Sequence, residues 1–295
     1  MHTSAAPAQE WSLDASSIDD RGSKVSVTAG RAHVGELEMY YEIHAEGKPL
    51  VLLHGAIGTI DSCFRELLPA LASIRQVIAV ELQGHGHTAD VDRSLTYGQM
   101  AEDTAALLHA LGIQSADFVG YSMGGAVALQ VAMWHPRLVR RLVYAGGACF
   151  DSAGLYPEAL DAMTKTPAGH LDGSVWHQAY RNVAPHPGAW PALVAKVNEL
   201  DRTFAGWPAE EVRRVRAPTM LIIGDSDIVR PEHTVQMFRL LGGGVPGDLA
   251  GLPTSQLAVL PGTSHVGMLD RSEWLSPMIA TFLDPSAPGR AQAQR

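Results

Sequence analysis

Short, nearly unbroken apolar runs recur along this chain, and they limit its folds more than any other feature. They are LVLLH at 50–54, QVIAVEL at 76–82, DFVGY at 117–121, RLVYAG at 141–146, TMLIIG at 219–224 and QLAVLPG at 256–262. Runs this short, without polar alternation, read as strands buried on both faces, as in a parallel sheet. ELEMYYEIH at 36–44 adds a strand that leads to a turn at Gly47–Pro49. Helical patterns separate the runs. Thr96 to Leu111 is the clearest, with Thr96 as N-cap, Gln99 as its capping-box partner and Gly112 as the left-handed C-terminal residue. A second runs from Met123 to Trp134 and is stopped by His135–Pro136. A third starts at Pro231, a favoured first helical position, and ends before Gly242–Gly244. The last covers Glu273 to Leu283. Strands alternating with helices predict an α/β fold, a mostly parallel central sheet with helices on both faces.

One stretch breaks the alternation. Residues 150–214 hold no convincing strand but carry Trp176, Trp190, Trp207, Phe150, Tyr156, Tyr180 and Phe204. This reads as a helical lid inserted between two strands. The core is then expected over 31–149 and 215–285. Residues 1–30 are rich in Ala, Ser and Asp without apolar period, and are expected to be a disordered tail.

Composition removes several function classes. The net charge of −9 argues against a nucleic-acid surface and against a polybasic membrane patch. Two cysteines, Cys63 and Cys149, cannot build a disulfide framework, although one bridge between them stays open. Residues 118–136 lack charge, but Ser122, Gln130, His135 and the glycines fit a strand, a turn and a helix better than a membrane span. The N-terminus has no basic segment followed by an apolar one, so the expectation is a soluble, cytoplasmic protein.

Gly120-Tyr121-Ser122-Met123-Gly124 matches G-x-S-x-G between a predicted strand and a predicted helix. That context is what a nucleophile elbow requires. The tight turn needs small neighbours, which Gly120, Gly124 and Gly125 provide. It lifts the Ser122 hydroxyl off the sheet edge, and the N–H of Met123 at the helix start can face an oxyanion. Two aspartates, Asp225 and Asp227, follow the run at 219–224 and could serve as the acid of a triad. His85, His87 and Asp90 lie close enough in sequence to suggest a metal-ligand cluster. Two histidines and one aspartate without a third histidine make a poor zinc set, so they read as structural or cleft-lining.

The chain resembles the α/β-hydrolase superfamily, in its serine-nucleophile branch, from about Glu36 to Leu283. The resemblance rests on LLHGAIG at 52–58, ELQGHGHT at 81–88, GYSMGG at 120–125, GDSDIVRP at 224–231 and PGTSH at 261–265. It implies a Ser–Asp–His chain order. By resemblance to the family's G-x-x-D pattern, Asp227 is the acid, with Asp225 as runner-up. Only His233 and His265 follow, and His265, after a buried strand at the sheet edge, is the expected base. The resemblance also makes the Ala56 N–H the second oxyanion donor, with Ile57 as an alternative, and His54 a structural residue.

The expected reaction is cleavage of a carboxylic ester or lactone through an acyl-enzyme, without metal or organic cofactor. The same triad serves carbon–carbon bond hydrolases, cofactor-free haloperoxidases or perhydrolases, and acyltransferases. A ligand receptor that retains the triad is the non-enzymatic alternative. The expected partner is a small apolar ester or lactone, with Ile57, Trp176, Trp190 and Trp207 as candidate substrate contacts.

Overall fold

The computed structural model describes residues 13–18 and 24–284. Among them lie strands β1 (Leu13–Ile18), β2 (Lys24–Val34), β3 (Leu37–His44), β4 (Pro49–Leu53), β5 (Gln76–Val80), β6 (Ala116–Tyr121), β7 (Val139–Ala145), β8 (Thr219–Ser226) and β9 (Gln256–Ser264). They form one sheet in the order β1-β2-β3-β5-β4-β6-β7-β8-β9. From β5 through β9 every neighbouring pair is parallel, while β1, β2 and β3 pair antiparallel at one side.

The pleat sorts each apolar run into two cores. Val51 and Leu53 of β4 join Ile78, Val80, Phe118 and Leu142 on one face. Leu50 and Leu52 join Val77, Ala79, Val119 and Val143 on the other. Successive side chains of a strand point to opposite faces, so a run must be apolar throughout to fill both. The first core is closed by the helices Tyr97–Ala110 and Met123–Trp134. The second is closed by Ile60–Phe64, Leu68–Ala72 and Ser272–Leu283.

The expected tail over 1–30 lies partly outside the described residues. Within it, Leu13–Ile18 and Lys24–Val34 are strands, not tail. Gly35, at φ 61°, opens the two-residue turn between β2 and β3. None of residues 26–33 is fully buried, so this side of the sheet carries no apolar run to announce it. Thr96 does cap its helix, its hydroxyl accepting the Gln99 N–H at 3.0 Å. The Gln99 side chain instead donates to Asp103 Oδ1 at 3.1 Å, so it does not complete a capping box. Between β7 and β8 the chain runs through helices, chiefly Pro157–Lys165, Val175–Val183 and Trp190–Thr203.

The strand order reverses at β4. The chain moves from β4 outward to β5, then crosses to β6 on the other side of β4 and continues to β9. The loops after β4 and β6 therefore separate at the carboxyl edge of the sheet, where such folds leave a crevice. Ala56 and Ser122 stand on these two loops.

Candidate active site

Ser122 follows β6 and caps the helix Met123–Trp134 at φ 53°, ψ −120°. Positive φ is strained for a serine, and the surroundings must hold it there. The Ser122 N–H donates to the Ala145 carbonyl at 2.8 Å, and its own carbonyl accepts the N–H groups of Gly125 and Ala126. A Cβ at Gly120 would sit 2.3 Å from the Gly124 carbonyl oxygen, and one at Gly124 would sit 2.0 Å from that of Leu53. Only glycine permits this close stacking of strand, turn and helix.

The turn after β8 supplies Asp227, whose side chain is completely buried. Its Oδ1 accepts the Ile228 N–H at 2.8 Å and meets His265 Nδ1 at 2.8 Å. A carboxylate can only accept, so Nδ1 carries the proton and Nε2 is left free to accept. Nε2 lies 2.9 Å from Ser122 Oγ. Tyr121 holds the histidine from the far side, its hydroxyl donating to the His265 carbonyl at 3.0 Å. Asp225 does a different job. It accepts the N–H groups of Gly262 at 2.8 Å and Thr263 at 3.1 Å, which ties the β8 turn to β9 and holds its carboxyl below the usual range.

The N–H groups of Ala56 and Met123 have no acceptor among the described residues, and both residues line the cleft beside Ser122. Ile57 cannot replace Ala56, because its N–H already donates to His85 Nε2 at 3.1 Å. His85 in turn donates from Nδ1 to the Gln83 carbonyl at 2.9 Å, and burial pushes it down to about 4, so it stays neutral and keeps accepting. His54 repeats this one strand away. Its Nδ1 meets the Gly55 carbonyl at 2.8 Å, Nε2 accepts the Leu82 N–H at 3.1 Å, and burial pushes it down to about 3. His85, His87 and Asp90 do not converge on a common centre. His87 stacks on Tyr40 and meets Glu81, while Asp90 pairs with Lys196 at 2.6 Å.

The cleft is lined by Tyr97, Met163, Phe204 and Trp207, among others, and by Ser122 and His265. Of the three candidate tryptophans, only Trp207 is there, its indole N–H donating to Gln130 Oε1 at 2.6 Å. Trp190 is buried elsewhere, stacked on His177 with ring centres 5.0 Å apart, and binds two helices of the insertion together. Trp176 packs against both cores. Neither they nor Ile57 line the cleft. Cys63 and Cys149 are both free thiols. Burial pushes Cys63 up to about 11 and Cys149, which lines the cleft, up to about 12, so neither offers a thiolate near neutrality.

The model of the alpha/beta hydrolase family matches residues 50–277, most of the chain. The chain belongs to the alpha/beta hydrolase family. A pyrrolizixenacetamide deacetylase of Xenorhabdus hominickii is 34% identical over 267 residues, covering 83% of this chain and 98% of the relative. A 2-hydroxy-6-oxo-6-(2'-aminophenyl)hexa-2,4-dienoic acid hydrolase of Metapseudomonas resinovorans is 26% identical, covering 86% and 90%. Among solved structures, a meta-cleavage product hydrolase of Pseudomonas fluorescens shares the fold, with TM-score 0.72, 19% identity and coverage of 86% and 97%. Within this alpha/beta hydrolase, sequence reading did not reach Tyr97, Met163 or Asp201 as cleft residues. Each lies on a helix whose local text says nothing of the sheet edge it meets. Tyr121 had a signal, as the aromatic residue inside G-x-S-x-G, yet its grip on His265 spans 144 positions. No described helix is long and apolar enough to cross a membrane.

Proposed function

We propose that this alpha/beta hydrolase cleaves carboxylic esters, lactones included, through an acyl-enzyme on Ser122. The observation that carries the reading is the unbroken chain from Asp227 through His265 to Ser122 Oγ, ending beside two unengaged N–H groups. Ser122 Oγ attacks the carbonyl carbon while His265 Nε2 takes its proton. Asp227 orients the ring and balances the imidazolium. The N–H groups of Ala56 and Met123 hold the oxyanion, each worth roughly 3–4 kcal/mol of barrier. The imidazolium then protonates the leaving oxygen as the carbon–oxygen bond breaks. Water attacks the acyl-enzyme with His265 again as base, and Ser122 is restored. No step calls for a metal or organic cofactor.

The insertion over 150–214 acts as a lid in this reading, because Met163, Phe204 and Trp207 give the acyl or leaving group an apolar wall. Carbon–carbon hydrolysis of a dienoic acid is the second reading. It is disfavoured because, among the described residues, no lysine or arginine lines the cleft to receive a carboxylate. A panel of p-nitrophenyl esters of rising chain length, with lactones and a dienoic acid, run beside Ser122→Ala, tests the choice. Multiple turnovers on esters and lactones, lost in the variant, are expected. Turnover of the dienoic acid alone would overturn the ester reading, and a single stoichiometric turnover would point to a receptor.

A further inference from the structure

Two carboxylates other than Asp227 line or border the same cleft, Asp151 and Asp201. Asp201 stands near the end of the helix Trp190–Thr203, in a wall otherwise built by Tyr97, Met163, Phe204 and Trp207. It makes no hydrogen bond or ion pair with any described residue. The neighbouring Arg202 is engaged by Glu199. Burial holds the Asp201 carboxyl up at about 7. Asp151 is short of a donor too. Its Oδ1 is enclosed and without a hydrogen-bond partner. The nearest candidate, His233 Nε2 at 3.7 Å, accepts the Phe150 N–H and so turns a lone pair rather than a proton outward.

Asp201 is part-buried in a cleft that Tyr97, Phe204 and Trp207 also line, and a carboxyl drawn back from water with no donor among the described residues carries a desolvation cost. Its partner must then come from outside the chain or the cost stands uncompensated. The cleft offers a cation both halves of what it needs, a carboxylate acceptor and aromatic faces. Among the described residues no lysine or arginine lines the cleft beside Asp151 and Asp201 to receive an anion, and its one histidine, His265, is already engaged by Asp227. We propose that Asp201 is a specificity residue, and that the preferred substrate is an ester carrying a protonated amine, which Asp201 holds while Ser122 attacks the carbonyl. This rests on Ser122 as nucleophile.

Two pairs of esters test it, each pair differing only by an ammonium group in place of a methyl group. In one pair the change is in the leaving group, para-(aminomethyl)phenyl butyrate against para-ethylphenyl butyrate. In the other it is in the acyl group, p-nitrophenyl para-(aminomethyl)benzoate against p-nitrophenyl para-ethylbenzoate. The readout is the ratio of kcat/KM within each pair, which cancels any loss of folded enzyme. In at least one pair the wild type should favour the cation by about tenfold or more, the size of one desolvated charge contact. Asp201→Asn should bring that ratio close to unity. A wild type that favours the neutral ester in both pairs overturns the proposal, as does an unchanged ratio in Asp201→Asn. Hydrolysis of the neutral esters by the wild type keeps Ser122 as nucleophile whichever way the ratios fall.

Discussion

The carboxyl edge of the sheet and the helical insertion both line the cleft, and they treat polar groups in opposite ways. At the edge every functional group has its partner. Asp227 is held by Ile228 and His265, His54 by Gly55 and Leu82, and His85 by Gln83 and Ile57. The N–H groups of Ala56 and Met123, which line the cleft with Ser122, have no acceptor among the described residues. Where the insertion lines the cleft, Asp201 and Asp151 Oδ1 lack hydrogen-bond partners among the described residues. The difference separates two tasks. Chemistry needs donors fixed before the substrate arrives, whereas recognition leaves unmet groups for the substrate to satisfy.

The largest effects should come from the edge. Ser122→Ala should lower kcat by roughly 10⁵-fold and Asp227→Asn by roughly 10⁴-fold, with folding intact by circular dichroism. Asp225→Asn is the control, since Asp225 only ties Gly262 and Thr263 to the β8 turn. Its kcat should fall less than about tenfold. Equal losses for Asp225→Asn and Asp227→Asn would break the assignment of the acid.

The insertion should divide between packing and contact. Trp190→Ala should cost about 3–5 kcal/mol of stability in urea unfolding, because it empties a buried site between helices. Activity per folded molecule should then fall alike for acetate and octanoate esters. Trp207→Ala removes a cleft residue, so octanoate should suffer several-fold more than acetate. Matching chain-length profiles for the two variants would remove the distinction.

Acid sharpens the comparison with the smallest signal. An unfolded histidine takes up its proton near pH 6.5, while His54 and His85 are held at about 3 and about 4. Their stabilising contribution is complete above about pH 6.5 and declines as pH falls, by roughly 2 kcal/mol each between pH 6.5 and 5. Asp201 is shifted the other way, to about 7. The folded state takes up its proton in that window while the unfolded carboxyl stays charged, so acidification restores roughly 2 kcal/mol. Asp201→Asn should therefore lose about 2 kcal/mol more than the wild type between pH 6.5 and 5, read by urea unfolding at the two values. Parallel losses would place Asp201 in water.

What the chain showed in advance follows the same division. The strands β4 to β8 were legible because burial on both faces demands unbroken apolar text, as in LVLLH and TMLIIG. β9, expected from its apolar run to be buried on both faces, buries only Leu260 and Thr263, because it closes the sheet and has a neighbouring strand on one side alone. Ser122 was legible from its G-x-S-x-G turn between a strand and a helix. The preference for Asp227 over Asp225, and the chain order that leads to His265, came instead from the family resemblance, since both aspartates stand at the end of the same strand. β1 and β2 were not, because at the margin of the sheet residues 26–33 are nowhere fully buried. The insertion was legible only as aromatic content. Trp176, Trp190 and Trp207 look alike in sequence, and only tertiary packing decides that Trp207 meets the cleft. Asp201 was silent, since a lone aspartate near the end of a helix reads as solvated surface.

The account stands most directly on the covalent intermediate. The enzyme should be mixed with p-nitrophenyl trimethylacetate, whose hindered acyl group slows deacylation, quenched in acid and analysed by intact-mass and peptide mass spectrometry. The account predicts one acyl group per protein, located on Ser122, absent from Ser122→Ala, and lost on incubation in buffer before the quench. Turnover of the ester with the acyl group on another residue, or undiminished turnover by Ser122→Ala, would contradict it.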